Sequence, residues 1–298
     1  MAKSYTSGTG LIVKLREARH FLRHQFTMAD AQVQHRVKVM ENVERLMGER
    51  YGVRLAGLDV LDVGTGQQQI QSAWLARKNR VVGIDLDVIP KGWSLRPYFD
   101  MWRSNGSTRV LKTVFRKALG IDRMFRRALR EQLGMSAEKL PALRMDVTQL
   151  DFPSDRFDFV YCSSVLQCVP DVGRALEEMN RVLKPGGIGY FTIQLYSSET
   201  GSLDPRLYGE DRSDIPYWAH LRPEHQHAVA GNAWLNKLRL HEWKSLVGSH
   251  LHEPFIVLNQ PHAGTLKGIA EQLRQEGSLL DFSIEELITH ELQVSWRK

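Results

Sequence analysis

Asp62, Gly64 and Gly66, followed about twenty residues later by Asp85, are the residue types whose spacing could do chemistry. Val60, Leu61 and Val63 form a short apolar run of the kind a buried parallel strand shows. Asp62 sits at the end of that strand, where its carboxylate would point into the crevice above a sheet. The two glycines allow a tight strand-to-helix turn and let a ligand approach the backbone. Val81-Val82-Gly83-Ile84-Asp85 reads as a second apolar strand ending in an acid. A carboxylate there can accept hydrogen bonds from both hydroxyls of a ribose. Together these residues describe a nucleoside site. A dinucleotide fingerprint would want a third glycine at position 69, where Gln69 stands.

The downstream motifs choose between nucleosides. Pro141-Ala-Leu-Arg-Met-Asp146-Val147, Arg156-Phe-Asp-Phe-Val-Tyr-Cys-Ser163 and Arg181-Val-Leu-Lys-Pro-Gly-Gly187 follow in order. With the Gly-x-Gly turn and Asp85, the stretch from about 57 to 196 resembles class I S-adenosylmethionine-dependent methyltransferases. The likeness is to the broad group that includes the ubiquinone/menaquinone-biosynthesis (methyltransferase type 11) enzymes. The resemblance implies S-adenosylmethionine as cofactor and an α/β, Rossmann-like fold. That fold is a seven-stranded, mostly parallel sheet with helices on both faces. It further implies that Asp62, Gly64 and Gly66 hold the methionine moiety and Asp85 the ribose. Asp146 would face the adenine amino group, Val147 would pack beside the ring, and Ser163 would lie against the cofactor. Two departures stand out. Family members often carry a further glycine near Gln68, and often a His where Cys168 stands.

The elements that must position these residues follow from periodicity. Strands are expected at 59–63, 80–84, 142–145, 157–162, 187–193, 254–258 and 289–296, the last two as a hairpin. Lys184-Pro-Gly-Gly would stop a helix and launch the fifth strand. Residues 1–56 read as a helical lead-in. Leu11, Leu15, Ala18 and Leu22 share a first stripe. Thr27 with Asp30 reads as a capping box opening a second helix that carries Val33, Val37, Met40 and Met47. The lead-in would pack beside the sheet or act as a lid. Residues 57–298 would form the catalytic domain, with insertions at 88–141 and 194–253. Long connections at strand carboxyl ends are where α/β enzymes build substrate sites.

The acceptor side offers several candidates. An oxygen acceptor must lose a proton, and histidine titrates near neutral pH. His220, His225 and His227, with Glu224 among them, supply candidate bases, unless this is a solvated loop with incidental histidines. His225 and His227 lack helix-face spacing and have no cysteine or paired carboxylate beside them, so no metal is expected. Tyr196 and Glu199 directly follow the fifth strand and could touch the acceptor. The segment Asn232 to Trp243 is loosely similar to one in methyltransferases from surface-polysaccharide gene clusters, which suggests a glycan-type acceptor. Trp234 and Trp243 could stack on a sugar ring or belong to the core.

Charge is concentrated in the insertion. From Lys91 to Arg130 there are eleven Lys or Arg against Asp100 and Asp122, while the whole chain is only +6. Val110, Leu111, Val114, Phe115, Ala118, Met124, Phe125, Ala128 and Leu129 read as its packed apolar face. Arg116, Arg123, Arg126, Arg127 and Arg130 would face outward. Such a face is either merely solvated or attracts an anionic acceptor, a nucleic acid or an anionic membrane surface. No Asn-Pro-Pro-Tyr-like amine motif or RNA-binding module accompanies it, which weighs against an RNA methyltransferase. A non-catalytic nucleoside-binding protein on the same fold is the other alternative. Hydrophobic content of 42% and charged content of 25% fit a globular chain rather than a disordered one. No apolar run reaches the length of a membrane span. The N-terminus has no signal-peptide core, and Cys162 and Cys168 are the two cysteines, so a cytoplasmic location is expected. The reading is methyl transfer to a small-molecule or glycan-type acceptor at oxygen.

Overall fold

The computed structural model describes residues 11–87, 95–135, 140–208, 215–231 and 233–298. Lys91 and Asn232 lie outside the described residues, as do the ends of the basic insertion at 88–94 and 136–139.

Seven strands form one sheet in the order β3-β2-β1-β4-β5-β7-β6. They are β1 (Asp59–Val63), β2 (Arg80–Asp85), β3 (Ala142–Arg144), β4 (Phe157–Ser163), β5 (Leu183–Gln194), β6 (Phe255–Asn259) and β7 (Glu291–Arg297). β1 pairs parallel to β2 with Val63 opposite Ile84, and β2 pairs parallel to β3 with Asp85 opposite Arg144. That register brings the ends of the first two strands level, and so brings Asp62 and Asp85 to one end of the sheet. β7 runs antiparallel to both β5 and β6. The last two strands are not a tight hairpin, because α8 (Ala263–Gln275) and α9 (Ile284–Ile288) lie between them. β5 starts earlier than expected and runs through Lys184-Pro-Gly-Gly. Lys184 Nζ lies 2.8 Å from Asp158 and 3.4 Å from Asp59, which fixes that stretch in place.

The chain packs as two compact units. The first holds Leu11–Tyr161 and Arg181–Gly187. Its lead-in is one helix, α1 (Leu11–Tyr51), not two. Thr27 and Asp30 therefore lie mid-helix, where a cap has no free amides to satisfy. Val33, Met40, Val43 and Met47 are buried. They form the stripe by which α1 packs on α2 (Ile70–Ala76) and α5 (Ile121–Leu133). Phe125, Ala128, Leu129 and Leu133 are the buried face of α5, and Gln132 Nε2 donates to Asp30 O at 3.1 Å. The lead-in thus packs on the basic insertion.

The rest of the insertion is α3 (Leu95–Asn105) and α4 (Ser107–Ala118). Here the apolar-face expectation fails. Leu111 and Phe115 of α4 are exposed, because it is α5 that covers α1. Arg123, Arg127 and Arg130 face solvent and Arg126 is half-buried. Arg116 turns inward instead: its guanidinium meets Asp122 at 2.9 Å and donates to Gln67 Oε1.

The second unit holds Cys162–Asn180 and Ile188–Lys298, with α7 (Leu240–His250), α8 and α9. Helix α6 (Val172–Val182) leads into β5. Trp243, Phe191 and Trp296 form its aromatic centre, with ring centroids 6.4 and 6.1 Å from Phe191. Trp243 is therefore core, whereas Trp234 is exposed. Among the described residues no helix is long and apolar enough to cross a membrane.

Candidate active site

The turn after β1 is held against β2 by its own backbone. Gly64 N and Thr65 N both donate to Ile84 O, at 2.8 and 3.1 Å. Gly64 and Gly66 have φ of 73° and 63°, in the left-handed region that glycine occupies without steric cost. A Cβ on Gly83 would lie 2.3 Å from Thr65 Cγ2, so a glycine in β2 is what lets the turn close down. Asp85 completes the bracket. Its Oδ2 accepts from Gly66 N and its Oδ1 from Asp87 N, each at 2.9 Å. Asp62, Gly64, Gly66 and Asp85 are thus brought together, as their spacing suggested. Met145 N donates to Asp85 O at 3.0 Å, which brings the end of β3 alongside. There Asp146 Oδ1 accepts from the Thr148 amide and hydroxyl at 2.9 and 2.8 Å, and Val147 is buried beside it.

Asp62 is an electrostatic outlier. Its side chain is fully buried, and burial pushes its carboxyl up to about 7. A hydrogen bond from Ser72 opposes the shift and the Asp85 charge adds to it. A carboxylate removed from water without a cation partner holds its proton. Such a group is poised to accept a cationic ligand.

Two glutamines belong to this site, and sequence reading missed both. In the sequence Gln69 stands out only as the absence of a third glycine. It sits in the left-handed region (φ 49°) at the N-terminus of α2, buried, and its Nε2 has no hydrogen-bond partner. A buried amide donor left unpaired costs free energy unless a ligand accepts from it. Gln67, two residues earlier, takes the Arg116 hydrogen bond and so ties the turn to α4. The available signal was three consecutive polar residues where a glycine-rich turn enters a helix.

The acceptor-side candidates lie in the second unit, and so does Ser163, the remaining cofactor-side candidate. Ser163, at the end of β4, is half-buried with its hydroxyl 3.1 Å from Thr192 Oγ1. After β5 the chain folds into successive turns. Ser197, Ser198, Glu199, Thr200, Ser202 and Asp204 are all buried there, an unusual density of polar groups. Tyr196 opens this segment. His220 Nε2 lies 2.7 Å from Tyr196 O, and the two rings meet edge-on with centroids 5.1 Å apart. Lys237 Nζ lies 5.3 Å over the Tyr196 ring. Burial pushes His220 down to about 4, despite its bond to the Tyr196 carbonyl, and Lys237 lowers it further. Since a carbonyl only accepts, Nε2 carries the hydrogen and Nδ1 carries a lone pair. His225 and His227 are elsewhere, on a short 3₁₀ helix (Pro223–Ala228). His225 faces Glu224 at 3.8 Å and His227 is exposed. Of the three histidines, His220 alone is brought to Tyr196. Among the described residues no group of three His, Cys, Asp or Glu could hold a metal ion.

Comparison with known proteins agrees with this geometry. The methyltransferase domain family matches residues 30–247, most of the chain. A demethylmenaquinone methyltransferase of Geobacillus stearothermophilus is 44% identical over 75 residues, covering 25% of this chain and 29% of that protein. An uncharacterized chloroplastic methyltransferase of Arabidopsis thaliana is 30% identical over 105 residues, covering 35% of this chain and 26% of that one. The matched stretches thus span under a third of these relatives. Among solved structures, a Haemonchus contortus phosphoethanolamine N-methyltransferase in complex with S-adenosyl-L-methionine aligns with a TM-score of 0.48 and 15% identity. That alignment covers 86% of this chain and 52% of that one. A family match of this extent, on a sheet of this strand order with the Gly-x-Gly turn bracketed by two carboxylates, assigns the chain: it belongs to the class I S-adenosylmethionine-dependent methyltransferases.

Proposed function

We propose that the chain methylates a hydroxyl oxygen of a small-molecule acceptor, with His220 as the group that receives the hydroxyl proton. One observation carries this reading. A buried, neutral histidine keeps its Nδ1 lone pair free beside a segment dense in buried polar groups.

The residues of the first unit fit the cofactor. In this reading Asp62 holds the ammonium of its methionine moiety and the unpaired Gln69 Nε2 donates to the carboxylate. Asp85 accepts from the ribose hydroxyls, and Asp146 and Val147 hold the adenine. When bound, S-adenosylmethionine supplies a methyl carbon made electrophilic by its sulfonium.

The remaining work is alignment, exclusion of water and removal of one proton. His220 Nδ1 accepts the hydrogen bond of the acceptor hydroxyl and so points an oxygen lone pair away from itself. As the oxygen would take the methyl group and the sulfonium would leave as a neutral thioether, the hydroxyl would become a strong acid. Its proton then passes to Nδ1, although burial has made the imidazole a weak base. Tyr196 and the buried segment behind it hold the acceptor body.

The test is a panel of phenols, polyols, sugars and amines incubated with methyl-labelled cofactor. Label recovered on oxygen supports the reading, and label on nitrogen or carbon overturns it. His220→Ala is expected to lower turnover about 10²-fold with cofactor affinity unchanged. His225→Ala and His227→Ala should stay within about twofold, since His225 is turned to Glu224 and His227 is exposed. The acid limb of turnover should fall near pH 4 rather than at histidine's ordinary value, because the neutral form persists down to there. Parental turnover in His220→Ala would remove it from the mechanism.

Asp62 predicts a proton linkage. Its carboxyl must ionise to hold an ammonium, and the bound cation lowers its pKa again. Below its raised value, binding must therefore expel the proton. Calorimetry at about pH 6, in two buffers of different ionisation heat, should show close to one proton released per cofactor bound. Affinity should rise as pH increases toward about 8. Asp62→Asn should abolish the proton release, and release unchanged in that variant would mean another group is responsible.

A further inference from the structure

Helices α3 and α4 leave apolar side chains in solvent in a regular pattern. On α3, Tyr98 and Met101 are buried, while Leu95, Phe99 and Trp102 are 84%, 53% and 53% exposed. Those three stand at i, i+4 and i+7, one face of a helix. On α4, Leu111 and Phe115 stand at i and i+4 and are 69% and 52% exposed. Among the described residues ten large hydrophobic side chains are exposed, and five of them lie on these two helices. That is a concentration, where single exposed apolar residues would need no explanation. The helices pack on each other, with Lys117 Nζ of α4 lying 5.3 Å over the Tyr98 ring of α3. Phe99 and Trp102 form a ring pair with centroids 5.7 Å apart.

Positive charge accompanies the stripe. Residues 95–118 contain six Lys or Arg against a single acid, Asp100, although Arg116 among the six is turned inward to Asp122 and Gln67. Arg96 and Arg103 are exposed, and Arg103 Cζ lies 6.0 Å over the Phe99 ring. A cation therefore stands directly at the edge of the aromatic stripe.

We propose that α3 and α4 form a docking face for an anionic lipid surface. An amphipathic helix with Leu, Phe and Trp on one face and Lys or Arg beside them lies in a membrane interface. Its apolar face enters the acyl boundary while its cations meet headgroups. The excess of positive charge selects anionic lipid over zwitterionic lipid. The same charge disfavours a second copy, since an isologous contact would press two cationic faces together. A nucleic acid would use the cations but leave the leucines unexplained. The face lies outside the cofactor and acceptor residues, so the inference does not depend on which acceptor is methylated.

The test is flotation of the full chain with large unilamellar vesicles. One set is phosphatidylcholine alone, and the other contains about one third phosphatidylglycerol. Retention on the anionic vesicles is expected to be at least about tenfold greater, and to weaken as salt is raised above about 0.1 M. Leu95→Ser, Phe99→Ser and Leu111→Ser combined should lower anionic retention about tenfold at every salt concentration, with S-adenosylmethionine affinity unchanged. If that variant does not fold, Arg96→Gln with Arg103→Gln gives the second arm and should erase most of the preference for anionic vesicles. No retention on either vesicle overturns the proposal, as does equal retention on both. So does concentration-dependent dimerisation that the serine changes abolish, which would assign the face to a second copy.

Discussion

Asp85→Ala is expected to weaken S-adenosylmethionine binding by about 10²-fold, the largest single effect on the cofactor site. Two losses add. In the proposed reading the carboxylate accepts from the ribose hydroxyls, and charge-assisted hydrogen bonds are worth about 1.5–3 kcal/mol. The same carboxylate accepts from Gly66 N and Asp87 N, so its removal also frees both sides of the turn that approaches the cofactor. Asp85→Asn separates the two, because its one carbonyl oxygen can satisfy a single amide while the second atom can only donate. It should retain part of the affinity. Calorimetry with S-adenosylhomocysteine measures both variants, and an alanine variant binding within about threefold of the parent would remove Asp85 from the ribose site.

Gly201→Ala is expected to be the most damaging small change in the second unit. An added Cβ would lie 2.0 Å from Tyr196 O and 2.5 Å from Leu195 O, both backbone atoms that no rotamer change can move. Gly201 N donates to Ser198 O and Ser198 N to Leu195 O, each at 3.0 Å, so shifting one turn shifts its neighbour. Overpacking of this kind costs about 3 kcal/mol, and the midpoint of thermal unfolding should fall by about 5–10 °C. Turnover should fall with it, because Tyr196 is the residue displaced. Gly268→Ala in α8 is the control: nothing lies within 4 Å of its Cβ, and alanine favours a helix. It should leave the midpoint unchanged or slightly raised. Equal midpoints for the two variants would mean the turns after β5 give way easily.

Much of the cofactor end of the fold was legible in the sequence. Apolar runs ending in acids located β1 and β2, and the parallel register then carries Asp62 and Asp85 to one end of the sheet. β6 and β7 pair antiparallel as expected, and what local pattern did not give is the connection between them, which holds α8 and α9. The Thr27 cap failed because α1 runs unbroken through that position and leaves no free amides to cap. Leu111 and Phe115 show the limit of periodicity. It gives α4 an apolar stripe without saying whether anything covers it. Gln69 escaped notice because its importance lies in a left-handed backbone and an unpaired amide, neither of which residue type encodes. His220 could be shortlisted from composition, but its separation from His225 and His227 needed the 2.7 Å contact with Tyr196 O.

The central claim is that the Gly64–Gly66 turn with Asp62 and Asp85 is an S-adenosylmethionine site. Calorimetric titration of the full chain at about pH 8, where Asp62 is ionised, tests it most directly, with S-adenosylmethionine, S-adenosylhomocysteine and NAD in parallel. The account predicts one site per chain for both sulfur nucleosides, weakened by Asp85→Ala, and no saturable binding of NAD. NAD binding more tightly than S-adenosylmethionine would contradict it.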